Sequence, residues 1–108
     1  SGRSTHQNRV DTIMNVQDEF GVLVDPHTAD GIQVARDLAA DVETPIVVLE
    51  TALPVKFADT IVEAIGEAPE VPERFADIMN AGRHVADLPN DAETVKQFIA
   101  DAIDNTEV

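Results

Sequence analysis

The chain has 108 residues, with 21 Asp and Glu against 7 Lys and Arg, for a formal charge of −14 at neutral pH. That balance repels a phosphate backbone and an anionic membrane surface alike, so no nucleic acid and no membrane are expected as partners. The absence of cysteine excludes a disulfide framework, a thiolate zinc site and an iron–sulfur cluster, and it fits a reducing cytoplasm.

Hydrophobic residues make up 44% and aromatic residues only 4%, so the core must be built mainly from Val, Ile, Leu and Ala. The length suits a single domain. No apolar run approaches the ~20 residues of a membrane span, and no basic start followed by an apolar stretch marks a signal peptide; a cytoplasmic location is expected. The chain opens at Ser1-Gly2-Arg3 without an initiator methionine, which points to a processed product, a tag remnant or a piece of something longer.

The first periodic segment carries Val10, Ile13, Met14, Gln17 and Phe20 at spacings of three and four. With Ser4 and Gln7 as a capping box and Gly21 as a stop, it predicts a helix over about residues 5–20. After the short apolar run 22–24, Asp25 is placed to cap and Pro26 to open a second helix. Its inner face is Ile32, Ala35, Leu38 and Ala39, and the pattern fades near Ala40.

Pro45-Ile46-Val47-Val48-Leu49-Glu50 is continuously apolar up to its final Glu rather than alternating, the pattern of a strand covered on both faces in a parallel sheet. A third helix is predicted over about residues 54–65, with Phe57, Ala58, Ile61, Ala64 and Ile65 inward and Gly66 ending it. Beyond the Pro69 and Pro72 connector, a shorter helix shows Phe75, Ile78 and Met79 on one side and stops at Gly82. A brief extended piece follows at residues 84–88. Asn90 as cap, with Glu93 three residues on, opens a final helix whose stripe is Val95, Phe98, Ile99, Ala102 and Ile103. Strands alternating with helices predict an α/β fold, a helix-dominated layered domain with few, mainly parallel strands.

Thr51 stands where the predicted strand ends, the region in which open α/β sheets gather ligands, although a Thr there also serves ordinary turn chemistry. Lys56 lies near a helix start, where the macrodipole disfavours a cation, yet a lone lysine most often sits in solvent. His27, flanked by Asp25 and Asp30, admits a divalent-cation reading. It equally suits a partly exposed residue at a helix N-terminus, or one bonded to an anion gathered by free amides. A strong metal site needs three or more convergent ligands, and no HExxH or DxDxDG pattern occurs. His6 and His84 lack any such setting. The carboxylates at Glu67, Glu70, Glu73 and Asp77 read as a solvated face. A free-standing acidic interaction domain is therefore an open alternative.

Two blocks carry more: Gly21-Val22-Leu23-Val24-Asp25-Pro26-His27-Thr28-Ala29-Asp30-Gly31, and Leu49-Glu50-Thr51-Ala52-Leu53-Pro54-Val55-Lys56-Phe57. They resemble the C-terminal part of threonine synthases. In that family an acidic residue, Pro and His open a helix, and further on a strand runs into Thr-Ala-His-Pro-x-Lys-Phe. Leu53 replaces the His of the second motif, so a role for that imidazole does not carry over.

The resemblance runs over about residues 3–103 and implies the C-terminal segment of a larger fold-type II pyridoxal-phosphate enzyme. Such an enzyme converts O-phospho-L-homoserine and water to L-threonine and phosphate. The family's Schiff-base lysine and glycine-rich phosphate cradle lie in sequence this chain does not contain, and neither Lys56 nor Lys96 matches the Schiff-base motif. The chain alone is expected to be inactive, with no covalently held cofactor and no catalytic residue of its own. The resemblance makes Thr51 the cofactor-binding residue, its hydroxyl against the pyridine nitrogen, and places His27 and Lys56 near the substrate phosphate or in the active-site wall. A strand stripped of upstream cover further implies a possible homodimer of the isolated chain.

Overall fold

Thr5 opens the first helix. Its hydroxyl oxygen accepts the N–H of Asn8 at 3.2 Å, and its own N–H donates to Asn8 Oδ1 at 3.1 Å, a reciprocal capping box. The box lies one residue beyond the predicted Ser4 and Gln7 pair. The helix ends where Gly21 takes φ 67° and returns its N–H to the Gln17 carbonyl at 2.9 Å, a left-handed cap that glycine adopts without strain.

The computed structural model describes residues 1–104, the side chain of Met79 excepted, so the inward placement expected for Met79 lies outside the described side chains. Its helices are α1 (His6–Phe20), α2 (Pro26–Leu38), α3 (Ala58–Ile65), α4 (Ala76–Met79) and α5 (Ala92–Asp104). Short 3-10 turns occupy Ala39–Asp41, Pro54–Phe57 and Glu73–Phe75. The predicted third helix is thus a 3-10 turn leading into α3. Among the described residues no helix is long and apolar enough to cross a membrane.

The expected α/β layering is overturned: the described residues contain no strand. Residues 45–50 are neither helix nor strand, and one side of them only is covered. Val48 is half-buried, and its methyl would lie 3.0 Å from a Cβ built on Gly31, so the lack of a side chain at Gly31 lets this segment approach α2 closely. Val47 and Leu49, in contrast, are 80% and 75% exposed. Continuous apolarity reports a demand for cover on both faces, but a strand also needs a partner to bond its backbone, and no described segment supplies one.

The chain divides into two compact units, one of residues 1–76 and one from Asp77 onward. In the first, α1 packs against both α2 and α3. The buried core is Ile13, Val16, Val24, Ala29, Ile61 and Ala64, with Val10, Leu23, Ile32 and Ile65 packed around it. The buried face of α1 is Thr12, Ile13 and Val16, rotated from the predicted stripe, and Met14 and Phe20 are left exposed. In the second unit α5 is capped by Asp91, one residue past the predicted Asn90, through the Thr94 N–H and hydroxyl, each 2.8 Å from Asp91 Oδ2. Val95, Phe98, Ile99 and Ile103 form an apolar stripe there that remains exposed.

Polar links tie α1 to α2, among them an ion pair of Glu19 with Arg36 at 3.8 Å. Thr12 Oγ1 donates to Gln33 Oε1 at 3.2 Å. The Arg9 guanidinium grips Asp30 as a fork, with Nε 3.1 Å from Oδ1 and Nη2 2.7 Å from Oδ2. Burial pushes the Asp30 carboxyl up, but the bonds from Arg9 and Ser4 and the nearby charges of Arg9 and His27 outweigh it and hold the group below its ordinary range. A carboxyl depressed in the folded state stabilises the fold above the unfolded value of about 3.9, and loses that stabilisation as pH falls through the lower folded value. The thermal midpoint should therefore drop below about pH 4, and Asp30→Asn should remove part of that drop. Identical acid limbs for the two proteins in scans by circular dichroism would contradict the assignment.

Candidate functional site

Asp25 is fully buried at the head of α2, directly before the buried Pro26. A carboxylate in that position carries a large desolvation penalty and survives only if its oxygens are bonded. Oδ1 accepts the N–H of His27 at 2.9 Å and of Thr28 at 3.4 Å, the ordinary work of an N-cap. Oδ2 accepts the hydroxyl proton of Thr28. Burial pushes the Asp25 carboxyl up, while the Thr28 hydroxyl and the amides of His27, Thr28 and Ala52 together hold it below the usual carboxylate range.

Thr28, itself buried, extends this junction. Its oxygen accepts the N–H of Thr51 at 3.2 Å. The turn at Thr51 is thereby bonded to the first turn of α2. A second contact lies alongside: the His27 ring packs on Phe57 with centroids 4.9 Å apart and planes tilted by 58°, while His27 Nδ1 sits 3.3 Å from Asp25 Oδ1.

The sequence-predicted residues fall as follows. Thr51 and Lys56, both exposed, line one open hollow of about 320 Å³ together with Glu50, Ala52 and Leu53. His27, with a side chain 61% exposed, does not line that hollow; its ring stacks on Phe57, the residue after Lys56. Leu53 is half-buried and also lines an apolar hollow with Leu23, Pro54, Val55 and Pro69, a setting that suits an aliphatic side chain. Asp25, His27 and Asp30 do not form a cation cage. Asp25 is occupied by its donors and Asp30 by Arg9, and among the described residues no three of His, Asp and Glu converge as metal ligands.

The sequence reading missed Thr28. A signal for Thr28 existed: three residues beyond an N-cap aspartate, a hydroxyl stands beside the cap carboxylate, as in a capping box. Nothing local announces that its oxygen takes the Thr51 amide.

The family profile described as threonine synthase, C-terminal, matches residues 28–99, taking in Thr28, Thr51, Lys56 and Phe57. Over 108 residues the chain is 68% identical to a threonine synthase of Corynebacterium glutamicum, covering 100% of this chain and 22% of that protein. A threonine synthase of Methylobacillus glycogenes is 44% identical over 103 residues, 95% of this chain and 22% of the relative. Among solved structures, a PLP-bound threonine synthase from Brucella melitensis superposes with a TM-score of 0.73 at 38% identity, over 91% of this chain and 21% of that one. The chain thus spans about a fifth of the length of the curated relatives it matches. It belongs to the threonine synthase C-terminal family.

Proposed function

We propose that this chain is the C-terminal segment of a longer pyridoxal-phosphate enzyme that converts O-phospho-L-homoserine and water to L-threonine and phosphate. In that enzyme the Thr51 hydroxyl faces the pyridine nitrogen of the cofactor. The observation that carries the reading is the bonded junction between the two family blocks, in which the Thr51 N–H meets Thr28 Oγ1 at 3.2 Å. It leaves the Thr51 side chain at an exposed turn beside Lys56.

The residues fit one edge of the cofactor. Thr51 supplies a neutral hydroxyl on a turn whose Thr51 amide is bonded inward, which suits a ring nitrogen kept largely unprotonated. When bound, the cofactor supplies the electron sink for the reaction; the protein supplies orientation and charge. Lys56, an exposed ammonium on the same hollow, suits the substrate phosphate, and His27 on Phe57 holds the adjoining wall. The Schiff-base lysine and the phosphate cradle belong to the remainder of the longer protein.

Three expectations follow. In the full-length protein, Thr51→Val should preserve the fold and lower kcat at least about tenfold, about 1.4 kcal/mol, with a displaced cofactor absorption band; unchanged kinetics and spectrum would return Thr51 to turn chemistry. The 108-residue chain, mixed with pyridoxal phosphate and reduced with borohydride, should show no unique, saturable lysine adduct by mass spectrometry. A stoichiometric adduct at Lys56 would overturn the division of labour.

The open side of residues 45–50, with Val47 and Leu49 exposed, supports a place for this segment against the rest of the longer protein. Alone, the chain should cover that surface with a second copy. Its charge is screened beyond ~8 Å at physiological salt and does not prevent apolar contact. Sedimentation equilibrium at high concentration should show self-association; a strict monomer that binds no hydrophobic dye would refute this.

A further inference from the structure

We propose that Asp25 and Thr28 act as a positioning pair for Thr51, setting through its backbone where its hydroxyl stands. The proposal rests on the reading of Thr51 as the cofactor contact and deepens it, since it says what holds that contact in place.

Residues 42–53 belong to no helix or strand, so no regular hydrogen-bond ladder fixes this turn. Thr51 is exposed, so packing does not fix it either. What the turn does have is the Thr51 N–H, donated to the buried Thr28 oxygen, whose own proton is held by Asp25. That anchor fixes the planar peptide that enters Thr51, and with it restricts the direction of the Thr51 Cα–Cβ bond.

The polarity of the chain of bonds has a single solution. A carboxylate accepts only, so the one proton of the Thr28 hydroxyl goes to Asp25, which leaves the Thr28 oxygen to accept from Thr51. Both Asp25 and Thr28 are buried, so water does not compete for these bonds. The two amides that cap α2 would be met by almost any cap residue. The Thr28 hydroxyl instead takes the second carboxylate oxygen, which a serine or threonine cap lacks. The pair therefore does more than start a helix.

The test uses the full-length, cofactor-loaded protein and reads both kcat and the cofactor absorption band. Thr28→Val, nearly the same volume, should lower kcat about tenfold and displace the band in the same sense as Thr51→Val. Thr28→Ser, which restores the hydroxyl, should recover most of both. The double variant Thr28→Val with Thr51→Val should be no slower than Thr51→Val alone, because residues acting through one contact do not add.

Multiplied losses in the double variant, or a Thr28→Val protein indistinguishable from wild type while Thr51→Val is impaired, would overturn the positioning role alone. A silent Thr51→Val would overturn the reading of Thr51 and this proposal with it. Should Thr28→Val fail to fold by circular dichroism, Asp25→Asn completes the same cycle. It keeps a good helix cap but turns an NH2 group toward donors that require an acceptor, and the same non-additivity with Thr51→Val is expected.

Discussion

One carboxylate buried away from water, that of Asp25, constrains the rest of the candidate site. A charge in that position is tolerated only while all its oxygens are bonded, and losing one partner leaves the penalty uncompensated. Its donors include the His27 and Thr28 amides and the Thr28 hydroxyl, and Thr28 in turn takes the N–H of Thr51, far off in sequence. Helix start and turn are therefore one arrangement. The same requirement places Thr28 between them, since its hydroxyl has to give its proton to the carboxylate and its oxygen is then free to take the Thr51 amide.

Behind this junction the small core works as a support. Val24 is buried immediately before Asp25, and Ala29 is buried one turn after it, so both flanks of the carboxylate are anchored in the cluster that Ile13 and Ile61 complete. Arg9 reaches from α1 to Asp30 on the outer side of the same helix turn and fixes its rotation. Gly31 then lets Val48 approach α2, which guides the chain toward the turn that carries Thr51. Each of these is a modest interaction; together they leave the head of α2 little freedom. The His27–Phe57 ring contact adds a second tie between the two family blocks, on the exposed side.

The surface shows two opposed features. The formal charge is −14, yet Val47 and Leu49 beside α2, and the stripe of Val95, Phe98, Ile99 and Ile103 on α5, are apolar and open. Amphipathic patterning is a statement about what a segment is suited to lie against. Among the described residues, neither the amphipathic α5 stripe nor the continuously apolar segment 45–50 has its open side covered within its own compact unit, which agrees with a chain spanning 22% of its relatives' length.

What was legible in the amino-acid order is whatever closes within one helical turn. Pro26 after Asp25 opens α2 as expected, and Gly21 and Gly66 stop α1 and α3 in the left-handed conformation. The caps of α1 and α5 fall at Thr5 and Asp91, each one residue later than the pattern indicates, because neighbouring polar residues compete for the same orphan amides and spacing does not rank them. The family blocks were legible too, since motif residues are read individually: Thr51, Lys56 and His27 come from that source, and Thr51 and Lys56 do line one hollow.

The state of residues 45–50 was not legible, because apolarity specifies burial whereas a strand requires a hydrogen-bonding neighbour from elsewhere. The second task of Asp25 was equally hidden. Composition and spacing identify it as a cap, but only the folded chain brings the Thr51 amide to the Thr28 hydroxyl that its carboxylate holds, a link that sequence distance does not reveal. Local hydrogen-bond closure was thus determined by the sequence by itself, while the meeting of Asp25, Thr28 and Thr51 was decided by tertiary structure, because its cost and its compensation come from parts of the chain that touch only after folding.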